Sequence, residues 1–438
     1  MRVVADNGDL RSNSGGAWYT VAFLALLYSV SFIDRMILAL LAQDVSTSLE
    51  LSDRQMGLLL GAGFSIVYAL AGIPLAGLVD RGNRRNLIGC GVILWSLTTA
   101  ASGFAQSFST LFVLRCGVAL GEAVLTPAAI SMIADLFAKK DRVLPTAVYG
   151  AMASIMGVGA LFVGSAVLAV ANSFEGISSL APWRLTLVIL GSVGTLLAVL
   201  FLGSVSEPRR CGGSLEKNGY FRSFGDLAKY LRTHWKFYGL FYAGLMLTTI
   251  VHLAALSWLP TIAIRKFGLL SGDAGYLLGA IGAGGGLISA LFWSVFVNKM
   301  TRLGRPSGSM IGLIASSIIS MTFLVIALEE KSLVASMIAL FVSMIGIAAT
   351  GILGPLVIQQ YGPPNFRGRL ISLYLLTSYL ISYTFGPLIA VYLSDMVGSR
   401  SGHLDEGISF MAMAFGPFAA IAFCGALFFS IRTSRTTR

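Results

Sequence analysis

The chain has 438 residues, 56% of them hydrophobic and only 12% charged, with a formal net charge of +11. Soluble domains carry about 25% charged residues, so this composition excludes an ordinary soluble protein and points to a polytopic membrane protein. The bases lie in short segments between apolar runs, with no basic stripe interleaved with aromatics, which argues against nucleic acid as a partner.

In chain order, residues 1–16 form a polar tail without the apolar core of a secretory signal. Twelve apolar runs follow, near 17–43, 55–79, 86–105, 108–136, 144–171, 184–204, 237–262, 272–297, 307–328, 332–358, 368–394 and 408–431. Each is long enough to cross a hydrocarbon core of about 30 Å as a helix, and barrel strands would be shorter and alternating. The expected fold is therefore an all-α membrane protein of twelve transmembrane helices.

The connections set its orientation. "DRGNRR" (80–85), "KKDR" (139–142), the segment 207–236, "NKMTRLGR" (298–305), "NFRGR" (365–369) and the tail 432–438 are base-rich. The alternate connections are neutral or acidic; only "IRKF" (264–267) runs against the trend. The bias places both ends of the chain in the cytoplasm. Segment 207–236 divides an N-terminal six-helix bundle (17–206) from a C-terminal one (237–431). Its "SFGDLAKYLRTHW" reads either as an amphipathic surface helix or as a flexible linker.

The halves are related. Asp80, Arg81 and Arg84 recur in spacing as Asn298, Lys299 and Arg302, and Asp135 and Arg142 recur as Gln360 and Arg367. Two such matches argue for an internal six-helix repeat, a common plan in proteins that bind a solute between two bundles.

Ionisable residues break the apolar pattern at four places. Asp34 and Arg35 stand in "SFIDRMILALLAQ", with Asp34 about 25 Å along the first run, near mid-membrane. The fourth run carries Arg115 and Glu122, seven residues apart and so on one helix face. A buried charge costs about 2.5–3.5 kcal/mol on insertion scales, so such residues are retained for a reason. Asp34 and Glu122 are the candidate proton-carrying acids and Arg115 their expected partner; Arg35 either contacts substrate or neutralises Asp34. The competing reading is a static ion pair that sets helix packing.

His252 in the seventh run reads as a proton relay or substrate contact, or as a histidine bonded to nearby backbone. Tyr379, Ser382 and Tyr383 in the eleventh run line a cavity or bond to neighbouring helices. "GAIGAGGGL" in the eighth run lacks the lysine and setting of a phosphate loop and reads as close helix packing. No nucleophile–base pair marks an enzyme. Cys90, Cys116, Cys211 and Cys424 lack metal-like spacing, and no metal or cofactor is expected.

"AGLVDRGNRRNLI" resembles the signature loop of the major facilitator superfamily, with Asp80, Arg81, Arg84 and Arg85 matching and Ala76 and Asn83 replacing two glycines of the pattern. The resemblance implies a conformational latch, in which the loop acid bonds the start of helix eleven and the base after helix four, here Arg142. "FIDR", "LSDRQMGLL", "LWSLTTAASGFAQSF", "RCGVALGEAVLTPAAISMIADLF" and "PPNFRGRLISLYLL" together resemble the Spinster-like branch. That branch implies proton-coupled transport of an amphipathic, lipid-like anion, such as sphingosine-1-phosphate or a lysolipid. The compact chain points to a bacterial inner membrane and a monomer. Helix five lacks the Gly-Pro motif of the superfamily's drug antiporters, which lowers a drug-exporter reading. A proton symporter of a small organic or sugar acid remains the alternative, and a receptor that moves no solute is a third class.

Overall fold

The computed structural model describes residues 14–138, 141–210, 217–304, 307–363, 366–397 and 403–436. They are helical almost throughout. The first crossing is α1 (Ser14–Leu40), followed by a short α2 (Ala42–Leu49). The second crossing is built from α3 (Asp53–Leu60) and α4 (Ala62–Arg81), the third from α5 (Arg84–Ser102), and the fourth from α6 (Phe108–Glu122) and α7 (Leu125–Leu136). Next come α8 (Val143–Asn172) and α9 (Pro182–Ser204), and then α10 (Lys217–Thr233), which lies between the halves in sequence. The second half comprises α11 (Trp235–Phe267), α12 (Ser271–Arg302), α13 (Gly308–Glu329) and α14 (Leu333–Tyr361). Its eleventh crossing runs through α15 (Arg367–Tyr374), a π-helical turn (Leu375–Leu380) and α16 (Ile381–Val397); α17 (Leu404–Thr436) is the twelfth.

Eleven crossings among the described residues are long and apolar enough to span a bilayer by composition. The remaining one, α5, is held to 19 residues and opens with Arg84 and Arg85, which lower its hydropathy. It is nonetheless an interior helix, packed on α6 and α9, with Ile88, Val92 and Trp95 fully buried.

Local sequence explains where crossings start and break. At α3, Ser52 Oγ accepts the Gln55 backbone N–H and Gln55 Oε1 accepts the Ser52 N–H, a capping box inside "LSDRQMG". The second crossing breaks at Gly61, where a Cβ would stand 2.6 Å from the Tyr383 carbonyl oxygen. Only glycine lets α16 approach this closely. One turn on, the Ser65 and Thr384 hydroxyls bond at 2.7 Å. The "GAIGAGGGL" stretch packs as expected: Gly279 abuts Phe162, and Gly282 abuts Val158, on α8 of the other half.

The repeat is visible in the backbone. Glu50 (φ 52°) and Gly268 (φ 66°), 218 residues apart, both end a helix in the left-handed conformation. Later crossings correspond at an interval of 225. Arg84 bonds Asp135, and Ser309 Oγ donates to Gln360 Oε1 at 2.5 Å. Arg142 Nε donates to Phe137 O at 2.9 Å, and Arg367 Nε to Gly362 O at 3.0 Å. Gly121 packs on the backbone of Gly91 and Trp95, and Gly346 on that of Ser316 and Ser320. The interval changes between the second and third crossings of each half, where the second half has the longer loop. Arg302 therefore ends α12, and the structural counterpart of Arg84 is Ser309 rather than Arg302.

Twelve crossings put residues 14 and 436 at one end of the molecule, here the terminal end. At the far end the halves are joined: α8 packs on α12, α3 on α16 and α1 on α11. Towards the terminal end the halves part and leave a central space: α8 meets α12 from Ser165–Gly275 to Val158–Gly282, whereas a Cβ at Gly157 or Gly150 would meet nothing within 4 Å.

Candidate functional site

The four mid-membrane ionisable residues meet between α1 and α6. Asp34, Arg115 and Glu122 are 2%, 5% and 1% exposed. Arg35 Nε donates to Glu122 Oε2 at 2.6 Å, with the Glu122 side chain fully enclosed and that of Arg35 17% exposed. Arg115 Nη1 donates to the Asp34 backbone carbonyl at 3.2 Å. The pairing runs from one helix to the other: Arg35 on α1 takes the Glu122 carboxylate on α6, while Arg115 reaches the Asp34 backbone rather than an acid side chain. Asp34 Oδ1, Glu122 Oε1 and Arg115 Nε are buried with no hydrogen-bond partner in the structure. Helix α6 ends at Glu122, and α7 restarts at Leu125, so the acid sits at a break in its crossing.

Rings hold Arg35 in place. Its guanidinium carbon lies 5.0 Å from the centroids of Phe64 and Tyr68 and 5.4 Å from that of Phe32. Arg115 lies 5.6 Å from the same Phe64 ring. Such contacts contribute about 0.5–2 kcal/mol each when desolvated. They fix the side chain while its terminal Nη groups keep no partner among the described residues.

On α16, whose backbone packs against Gly61 of the second crossing, Tyr383 lies within electrostatic reach of Arg35. The side chain of Tyr379 lies outside the described residues. His252 is 2% exposed and bonds Ser320 Oγ through Nε2 at 2.9 Å. Ser320 Oγ itself donates to the Ser317 carbonyl, so Nε2 is the donor to Ser320, and Nδ1 is buried without a partner. His252 is therefore set inside the second half, and none of the four charged residues is among its bonded partners.

At the far end, ion pairs close the molecule. Arg265 makes a bidentate bridge to Asp53 at 2.7 and 2.8 Å and donates to Gln43 Oε1 at 2.7 Å. Arg54 reaches Asp395 at 2.7 Å, and Ser271 Oγ donates to Asp44 at 2.7 Å. Each of these contacts joins one half to the other. Arg265 belongs to "IRKF", the one basic connection on the wrong side of the charge bias, and its bridge to Asp53 accounts for it. Burial raises the Asp44 carboxyl above the ordinary carboxylate range, against the opposing bond from Ser271.

At the terminal end the signature loop is arranged within the first half. Arg84 is fully buried and bonds Asp135, Glu207 at 2.7 Å, and the Ser131 and Pro208 carbonyls. Arg85 contributes its backbone N–H to Glu207 at 2.7 Å. Arg81 and Asp80 are exposed, and the structure does not bring Asp80 and Arg142 together: Arg142 bonds the end of α7. Arg210 caps α4 through the carbonyls of Val79, Asp80 and Gly82.

Sequence reading missed the ring set around Arg35, the Arg265–Asp53 bridge and the Glu207–Arg210 cap. Two of these left a signal. Tyr28, Phe32 and Arg35 follow i, i+4, i+7 spacing, as Phe64 and Tyr68 follow i, i+4, which puts each set on one helix face. The bridge left only the anomaly in the charge bias.

Two pseudo-symmetric six-helix bundles, joined at one end and carrying buried charges midway, follow a plan common among secondary transporters. Residues 24–387 match the profile of the Major Facilitator Superfamily, and the chain belongs to that family. It is 37% identical over 186 residues to an MFS-type efflux pump of Mycolicibacterium smegmatis, a match covering 42% of this chain and 41% of the pump. It is 24% identical over 417 residues to the probable galactarate/D-glucarate transporter GudP of Bacillus subtilis, covering 88% of each. To the sphingosine-1-phosphate transporter SPNS2 of Mus musculus it is 25% identical over 441 residues, covering 93% of this chain and 75% of that protein. A bacterial homologue of the human lysosomal transporter Spinster, crystallised inward-facing and unoccupied, superposes with a TM-score of 0.80 at 25% identity, covering 96% of this chain and 98% of that one.

Proposed function

We propose that the protein is a proton-coupled secondary transporter of an amphipathic organic anion, with the terminal end facing the cytoplasm of a bacterial inner membrane. One observation carries the reading: Arg35 is shared between the enclosed Glu122 and the open central space. An anion arriving from that space competes with Glu122 for the guanidinium. A proton on Glu122 releases Arg35 to the anion. Anion and proton therefore bind cooperatively, and linkage makes the coupling reciprocal. Cooperative binding of the two favours symport. The second half carries no Asp, Glu, Lys or Arg midway along its crossings, which suits the apolar part of an amphipathic substrate.

On this reading the far-end ion pairs hold the inward-facing state. The separated Asp80 and Arg142 form the latch of the other state, and the base-rich loops face the cytoplasm. A sugar acid is the second reading, because Tyr68 and Tyr383 add hydroxyls beside Arg35.

The test is uptake by proteoliposomes under an imposed pH gradient. E122Q and D34N are expected to abolish accumulation above equilibrium, leaving counterflow of unlabelled for labelled substrate in at least one of them. Proton-driven accumulation at the wild-type level in both variants would overturn the mechanism.

A further inference from the structure

Beneath Arg35, towards the terminal end, the first half presents a run of rings and hydroxyls that neither the charge cluster nor the gates use. Tyr68 lies one turn from Phe64 on α4, with its ring stacked on Phe64 at 5.5 Å and 5.0 Å from the Arg35 guanidinium. The Tyr68 hydroxyl has no partner among the described residues, and it is not among the sealed polar atoms. Tyr28 packs edge-on against Phe32 at 5.1 Å and stacks on Tyr149 at 4.5 Å. Tyr149 Oη donates to Thr126 Oγ1 at 3.3 Å, and Tyr28 also reaches Thr126. Thr126 follows Glu122 by four residues, just past the break in the fourth crossing, and so lies nearer the terminal end.

The row therefore begins with a guanidinium whose Nη groups are open, continues with the open Tyr68 hydroxyl, and ends in the Tyr28–Thr126–Tyr149 hydroxyl cluster. The rings are held by one another. Little order is then lost when a ligand docks, which is the condition for discrimination rather than adhesion. A wall meant only for an acyl chain gains nothing from an unbonded phenol, because a ligand that cannot pair it leaves a polar group desolvated.

We propose that Tyr68, with Tyr28 behind it, is a specificity determinant that reads a hydroxyl group on the carbon skeleton next to the substrate's anionic group. The anion docks on the Nη groups of Arg35 and the adjoining carbons lie on the tyrosine rings. The inference rests on the reading of Arg35 as the anion site and narrows the substrate to a hydroxyl-bearing carboxylate or phosphate. The shared chemistry has two sources, a sugar acid or the glycerol or amino-alcohol portion of a lysolipid.

The test compares matched probes by calorimetry on the purified full chain in detergent at fixed pH. One pair is D-glucarate and adipate; the other is lysophosphatidate and dodecyl phosphate. Within each pair only the first member carries hydroxyls. Wild type is expected to favour the hydroxylated member of one pair by about tenfold or more, and that pair identifies the source. Y68F is expected to bring the two members within about twofold, with Y28F intermediate. R35K is expected to weaken both members while leaving their ratio intact, because a point charge replaces the fork. Loss of binding in R35K with an unchanged ratio in Y68F would sink the tyrosine role and leave the anion site standing. Equal binding of both members in wild type, or binding of none of the four probes, would overturn the proposal. Proton uptake on ligand addition is read separately, so failure of the coupling mechanism shows there alone.

Discussion

The two halves share one backbone plan, yet they fill its centre with opposite chemistry. At the interval of 218 residues that matches Glu50 to Gly268, Asp34 corresponds to His252 and Arg35 to Leu253. At the interval of 225 that matches Arg142 to Arg367, Arg115 corresponds to Leu340 and Glu122 to Ile347. All four second-half residues are buried, at 9% exposure or less. The second half thus closes the same helix packing with a histidine and three aliphatic side chains. Charge is not needed to hold these crossings together. That weakens the reading of the four residues as a static packing device and leaves their insertion cost to be explained by use.

The largest expected effect comes from moving the second half's solution into the first. R35L/E122I should fold, with thermal stability equal to wild type or higher by about 1–4 kcal/mol, because a buried ion pair gives way to apolar packing. Its proton-driven transport in vesicles should be lost. Retained transport would break the comparison. E122Q alone separates the two effects: it leaves Arg35 buried beside a neutral partner and should destabilise by about 3–5 kcal/mol as well as uncouple.

His252 is the intermediate case. H252L removes the one polar group that the second half keeps at the Asp34 position and leaves Ser320 without its donor. A loss of about 1 kcal/mol in thermal unfolding is expected, with transport within about threefold of wild type. A transport loss as deep as that of E122Q would show that the halves share the coupling chemistry after all.

Smaller effects are expected at the far-end junction, where both halves contribute charge. Arg265 and Asp53 are partly exposed, at 29% and 20%, so solvent screens their bridge. D53N should cost the closed junction about 1 kcal/mol, a shift of about fivefold towards opening in spin-label distances across that end. The smallest effect belongs to Asp44. Burial raises its carboxyl despite the opposing bond from Ser271, so the closed junction binds the proton more tightly than an opened one. Closure should strengthen as pH falls from above the raised value towards the ordinary carboxylate range, and weaken as pH rises back through it. D44N should flatten that dependence in the same distance measurement.

Much of this architecture was legible in order along the chain. Run length and low charge dictate membrane crossing, because backbone groups in lipid must bond within their own helix. Periodicity places Asp34 and Glu122 at one depth and puts Arg115 on the face of Glu122. Recurrent spacing reveals the repeat. These are properties of one helix or of one sequence interval.

Tertiary structure decided which groups meet. Facing and depth left either arginine free to take Glu122, and only the side chains that meet from α1, α4 and α6 give it to Arg35, through the rings of Phe32, Phe64 and Tyr68. The change of interval from 218 to 225 moved the counterpart of Arg84 to Ser309, and the bridge to Asp53 turned the misplaced Arg265 into a clasp. Spacing along a helix is set by the pitch of a single chain segment, whereas a partner across helices depends on crossing angle, close approach and loop length, which arise only when the segments assemble.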